Sequence, residues 1–328
     1  EIREQEVCWR QAHRQKACAQ EVMAETARFV ELLKALQNID NATRQKAETM
    51  YQQAKKGEPD TLMVGMMSVL GAPNMDEMVL RHDCVLLRQL CTRGDEKHFC
   101  FARLSDQRKN EIAAGLLQFF ETQANPKIQK MIGNVISMLA SYVCDQGDPR
   151  GSLQQGTNGW PALLPKICGM ANTATASSVD SCEAALRLLK DLVPTCCNEI
   201  VKQQKEQLGV IMQNGFSSPS LKHKVAVVLL ICGVVTQAET KDWAPLLQTV
   251  PLLNQVLTGL AQAKEQDMLS ECLQELIEVA TKEPDFFKVE LQQRKELAKF
   301  MATVARSKEV TDTGLRGLAL EWLGCYLE

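Results

Sequence analysis

Met78-Val-Leu-Arg81-His-Asp-Cys84 and Pro219-Ser-Leu-Lys222-His-Lys-Val225 share one shape: a polar or Pro-containing turn, then small and branched residues at helical spacing. The shape recurs along the chain. It is present in Asn41-Ala-Thr-Arg44-Gln-Lys-Ala47, in Pro126-Lys-Ile-Gln129-Lys-Met-Ile132 and, more degenerately, in Ser178-Val-Asp-Ser181-Cys-Glu-Ala184. It returns in Asp267-Met-Leu-Ser270-Glu-Cys-Leu273 and in Thr313-Gly-Leu-Arg316-Gly-Leu-Ala319. Taking the fourth residue of each as landmark (44, 81, 129, 181, 222, 270 and 316), the separations are 37, 48, 52, 41, 48 and 46 residues.

Such a period, close to the roughly 40 to 47 residues of HEAT and armadillo repeats, leaves room for one more helix between landmarks. Each gap contains an amphipathic stretch to fill it: Asp60 to Leu70, Ser105 to Phe120, Trp160 to Met170, Ile200 to Phe216, Trp243 to Leu260 and Phe286 to Ala305. With Phe29 to Gln37 ahead of the first landmark, seven pairs of an A helix and a B helix are expected. The punctuation agrees, because Gly57-Glu-Pro59, Gly71-Ala-Pro73, Asn125-Pro126, Gly147-Asp-Pro149, Ser218-Pro219 and Glu283-Pro284 fall at junctions. A proline inside a helix would cost about 3 kcal/mol. The predicted fold is all-α, a HEAT-repeat solenoid in which B helices line the concave wall and A helices the convex one. Residues 1–28 are expected to be an N-terminal helical extension, residues 29–328 repeats 1 to 7, and Cys144 to Gly159 a glycine-rich loop. The first residue is not Met and the last helical pattern runs to Glu328, so a longer parent protein is expected.

Composition narrows the function classes. A chain of 328 residues exceeds one compact core, and few Tyr (3) or Phe (9) and few β-branched runs speak against sheets. A net charge of −3 with dispersed Lys and Arg gives no nucleic-acid footprint, so no DNA partner is expected. The longest apolar run, Val225 to Val235, is far short of the roughly 20 residues of a membrane span, and no secretion signal precedes it. The 13 cysteines sit at apolar helical positions such as Cys84, Cys182, Cys232 and Cys272, as thiols do in a reducing compartment.

Catalytic and metal readings are weak. Cys91, His98 and Cys100, with His82 or Cys84 as a fourth ligand, match no paired-Cys zinc framework. Vicinal Cys196-Cys197 lies beside Asn198 and Glu199, a setting that raises a thiol pKa. There is no Gly-x-Ser-x-Gly elbow and no phosphate loop after a strand, so neither an enzyme nor a cofactor is expected. Trp160 and Trp243 read as anchors of A helices.

Phe29 to Tyr51, Arg81 to Leu90 and Asn158 to Pro165 are three segments that together resemble the importin-β (karyopherin-β) family of nuclear transport receptors. Phe29-Val-Glu-Leu-Leu-Lys through Asn41-Ala-Thr-Arg-Gln-Lys-Ala-Glu-Thr-Met-Tyr51 is similar to the family's first repeat, with its Arg-x-x-Ala-Glu. Arg81 to Leu90, with Leu86-Leu-Arg-Gln89, looks like its second B helix, and Asn158-Gly-Trp-Pro-Ala-Leu-Leu-Pro165 like the opening of a later A helix. The nearest branch is the importin-5 (karyopherin-β3) type. The resemblance implies a receptor of cytoplasm, nucleus and nuclear pore that carries protein cargo with a basic nuclear localisation signal, binds Phe-Gly nucleoporins and releases cargo to Ran-GTP. Carried over by position, the Ran-binding candidates are Arg44, Glu48 and Tyr51, then Arg81, Arg88 and Gln89, then Lys127 and Lys130. Convex grooves for Phe-Gly repeats are expected at Ile211, Met212, Leu246, Leu253 and Phe287. The alternative is a HEAT scaffold subunit of a multiprotein complex without Ran dependence, which the fold alone does not separate from a receptor.

Overall fold

The computed structural model describes residues 23–92, 99–144, 153, 159–172, 174, 178–288, 291–307 and 313–327. Most of the expected N-terminal extension, nearly all of the Cys144–Gly159 loop and His98 lie outside them. The described residues are helical and contain no strand. The helices fall into two compact units divided after Trp160.

The first unit contains α1 (residues 23–36), α2 (Asn41–Gly57), α3 (Pro59–Leu70), α4 (Glu77–Cys91), α5 (Asp106–Thr122) and α6 (Pro126–Val143). Three of the expected landmarks open α2, α4 and α6, the B helices. Each start has a local cause, a side-chain oxygen that takes up an otherwise orphaned backbone N–H. Asp40 accepts from Thr43 N at 2.9 Å, Asp76 from Met78 N at 2.8 Å, and Asn125 from Lys127 N at 3.0 Å. Proline stands in the first turn of α3 and of α6, where its missing N–H costs nothing. At the other end of α2, Arg103 donates to the carbonyls of Lys55 and Lys56 at 3.1 and 2.6 Å. The A helices α1, α3 and α5 pack on one another through small residues. The Phe29 ring lies over Gly65, and the Met67 methyl over Gly115. On the B side α4 lies against α6, with Asn125 Nδ2 donating to Glu77 Oε2 at 3.0 Å.

The second unit contains α7 (Leu163–Ala171), α8 (Val179–Lys202), α9 (Lys205–Ser217), α10 (Leu221–Gln237), the single turn α11 (Thr240–Trp243), α12 (Val250–Ala263), α13 (Gln266–Lys282), α14 (Leu291–Arg306) and α15 (Thr313–Leu327). The pairs are α7 with α8, α9 with α10, α12 with α13 and α14 with α15, and the B helices adjoin in the order α8, α10, α13, α15. Helix α10 is apolar on every side, as a helix must be when neighbours enclose it. Every residue from Val225 to Val235 is buried. His223 fastens its start to α8, its Nδ1 2.9 Å from Ser218 Oγ and its Nε2 2.9 Å from the Val179 carbonyl. Trp243, Phe286, Phe287 and Trp322 form an edge-to-face chain with centroids 5.8, 5.4 and 5.3 Å apart, tying α11 to α15. The expected A helix from Ile200 begins later, because α8 runs on to Lys202 through a kink at Pro194 to Cys196.

One core position violates the rule of its helix. Asp83 lies on the inward stripe of α4 with Val79, Leu86 and Leu90, fully buried, and neither carboxylate oxygen has a hydrogen-bond partner. Burial pushes its carboxyl well above the usual carboxylate range. The hydroxyl of Tyr51 on α2 is also buried without a partner, and burial first, then Cys100 and Asp83, pushes that phenol up.

Two predictions follow from this packing. In α9 a Cβ at Gly215 would lie 2.4 Å from Val227 Cγ2, whereas one at Gly209 meets nothing within 4 Å. Gly215→Ala should therefore cost about 1–3 kcal/mol of stability, while Gly209→Ala gains up to about 1 kcal/mol of helix propensity, both read by denaturant titration. For Asp83, a raised folded-state pKa means that stability is lost as pH rises from the ordinary carboxyl value of 3.8 towards the folded one. Asp83→Asn should remove a slope of about 1.4 kcal/mol per pH unit in that window. Its advantage over the parent should grow with pH from 5 upward; an advantage that is constant in pH would mean an ionised Asp83.

Candidate functional site

The residues expected at the partner-binding face lie on α2, α4 and α6, whose inward stripes are used up by packing and whose opposite faces meet solvent. Arg44 bonds to the Asn41 side chain and pairs with Glu48 at 3.7 Å, so these two partly neutralise each other on an exposed turn of α2. Arg81 pairs with Glu77 at 3.0 Å one turn back on α4. Arg88, Gln89, Lys127 and Lys130 are exposed, and the three cations among them have no carboxylate partner among the described residues. The face is therefore a set of uncommitted positive charges on two adjoining helices. Tyr51 is different. Its side chain is 5% exposed and lies beneath the face in the core, because position 51 continues the inward stripe of Ala47.

These helices also expose apolar side chains. Met50 on α2 and Met78 and Val85 on α4 are 53%, 59% and 37% exposed. The signal was available, since Met78 and Val85 stand seven residues apart on the side of α4 that avoids Val79, Leu86 and Leu90.

On the A helices of the second unit the expected groove residues are mostly core. Ile211, Met212, Leu253 and Phe287 are 1%, 5%, 0% and 2% exposed, and only Leu246 is half-buried. The physical reason is direct: an amphipathic helix has one apolar stripe, and that stripe faces inward. Val210, next to Ile211, is the apolar residue of α9 that faces outward, at 46% exposure.

Cys84, Cys91 and Cys100 are buried thiols, pushed by burial to about 12, 12 and 11. The described residues hold no cluster of three or more metal-ligating side chains. Burial also raises the Cys197 thiol, with Asp242 and then Glu199 adding to it. No helix among the described residues is long and apolar enough to cross a membrane.

Comparison with known proteins agrees with this architecture. A family model described as IPO5-like, TPR repeats, matches residues 124–297, more than half of the chain. Landmark separations of 52, 41 and 48 residues in that stretch exceed the roughly 34 of a TPR unit. Among solved structures, the yeast karyopherin Kap121p matches with a TM-score of 0.71 at 19% identity, over 93% of this chain and 27% of that one. Kap121p bound to Nup53p matches with a TM-score of 0.71 at 20% identity, again over 93% and 27%. Kap121p bound to RanGTP matches with a TM-score of 0.69 at 19% identity, over 92% and 26%. The chain thus spans about a quarter of the length of Kap121p, and at this identity the likeness establishes the fold, the all-α HEAT-repeat class. Comparison with curated proteins finds no match. The family model extends the resemblance of the N-terminal repeats through the central ones, and the chain belongs to the IPO5-like branch of the importin-β (karyopherin-β) family.

Proposed function

We propose that the chain is part of a nuclear import receptor, working between cytoplasm and nucleus by protein binding and catalysing no reaction. Its Ran-GTP site is the exposed face of α2, α4 and α6. The observation that carries this reading is that the adjoining helices α4 and α6 expose Arg88, Lys127 and Lys130 without a carboxylate partner among the described residues, together with the apolar Met78 and Val85, while Met50 is exposed on α2. Arg44, Glu48, Arg81 and Gln89 complete the face, and Tyr51 supports it from below. Solved complexes of Kap121p with RanGTP, Nup53p and Pho4p support the same classes of partner for this chain. Phe-Gly segments of nucleoporins would meet the A side at Val210 and Leu246, the outward residues, where many weak ring contacts add. Protein cargo with a basic localisation signal completes the cycle.

Calorimetric titration with Ran loaded with a GTP analogue, and in parallel with GDP, tests this directly. Binding should be confined to the GTP form. Arg81→Glu with Arg88→Glu should weaken it by about tenfold or more and flatten its salt dependence. Equal silence towards both forms would favour the scaffold reading.

A further inference from the structure

In a stack of helix pairs each repeat touches its neighbours, and contacts that skip a repeat are foreign to the architecture. Among its described residues the second unit has two of them. Arg187 on α8 reaches across α10 to Glu271 on α13 as a two-pronged pair, Nη1 to Oε1 at 2.5 Å and Nη2 to Oε2 at 3.1 Å. One turn further on, Lys190 Nζ meets Glu275 Oε1 at 2.8 Å. The pairs are parallel rungs, since 187 and 190 climb α8 as 271 and 275 climb α13. Glu183 holds the Arg187 Nε at 2.9 Å from its own helix, and Lys222 closes the α10 end of the row on Asp180 and Glu183 at 3.3 and 3.6 Å.

What lies under the rungs explains how they form. Helix α10 presents no charge between Val225 and Val235, and Gly233 sits where a Cβ would be 3.5 Å from Lys190 Cγ and 3.8 Å from Val193 Cγ2. These are ordinary contact distances, so the Lys190 stem lies along α10 at van der Waals contact on its way to α13. Such a cation covers apolar surface with its aliphatic stem as well as carrying its charge. The four side chains keep 22% to 39% of their surface, so the rungs are open to salt and to competing charges.

We propose that Arg187–Glu271 and Lys190–Glu275 are a reversible ionic latch that closes α8 onto α13 over the apolar inner side of α10, giving the second unit a closed and an open state. Charges that compete for these four groups release the latch and let α10 open. The proposal does not depend on the reading of the first unit.

Hydrogen exchange on the whole chain tests it, reading amides 221–237 with amides 77–91 as the internal reference. Lys190→Glu alone and Glu275→Lys alone should each speed exchange in α10 by about tenfold, and raising salt from about 50 mM to about 0.5 M should do so in the parent. The double swap Lys190→Glu with Glu275→Lys restores opposite charges at the rung, so its exchange should return to within about twofold of the parent. Single variants without effect on α10, or a double variant whose two effects add, would overturn the latch. Acceleration of the reference amides to the same degree would do so as well, since it would report general unfolding.

Discussion

The enclosure of α10 is the interaction on which the second unit depends. Eleven consecutive buried positions from Val225 to Val235 mean that α8, α13 and its own A-side neighbours each take one side of the same helix. Full burial of a single Val, Leu or Ile is worth roughly 1.5–3 kcal/mol as an upper estimate, so this element supplies most of the unit's stability, and the polar pairs around it set how often it opens. Its position also decides what the surface does. Between Val225 and Val235 α10 carries no charge, and the ionised groups of the neighbouring B helices pair with one another across it.

The first unit uses the same geometry differently. On α4 and α6 the inward stripe is mostly apolar, interrupted by Asp83 and by Gln129, whose amide donates to the Phe120 carbonyl at 2.8 Å, but the outward face keeps Arg88, Lys127 and Lys130 without a carboxylate partner among the described residues and Met78 and Val85 in water. On α8 and α13 the corresponding cations are already engaged by carboxylates. A surface whose charges are paired internally offers a partner less than one whose charges are free, since the partner must first break the existing pairs. The two units therefore differ in readiness to bind, although the repeat is the same.

Much of this fold was legible because its causes are local. The landmarks at 44, 81, 129, 181, 222, 270 and 316 each fall in the first turns of a B helix, since turn chemistry and helical spacing act within a few residues. The kink at Pro194 was less visible, because α8 resumes after it and absorbs Ile200 to Lys202 into the same element. The candidate site was harder to read. Ile211, Met212, Leu253 and Phe287 were expected at grooves because they are apolar, and they are in the core for the same reason. Asp83 breaks the stripe of α4 at a position that only packing identifies as inward. The Arg187–Glu271 pair spans 84 residues, and nothing in either local sequence announces the other.

The central proposal is that the exposed face of α2, α4 and α6, rather than the ion-paired face of α8 and α13, receives the GTPase. Hydrogen exchange of the chain with and without Ran bound to a GTP analogue tests it most directly. Slowed exchange in 41–57, 77–91 and the first turns of 126–143 is the predicted result. Protection confined to 179–202 and 266–282, with the first unit unchanged, would contradict it.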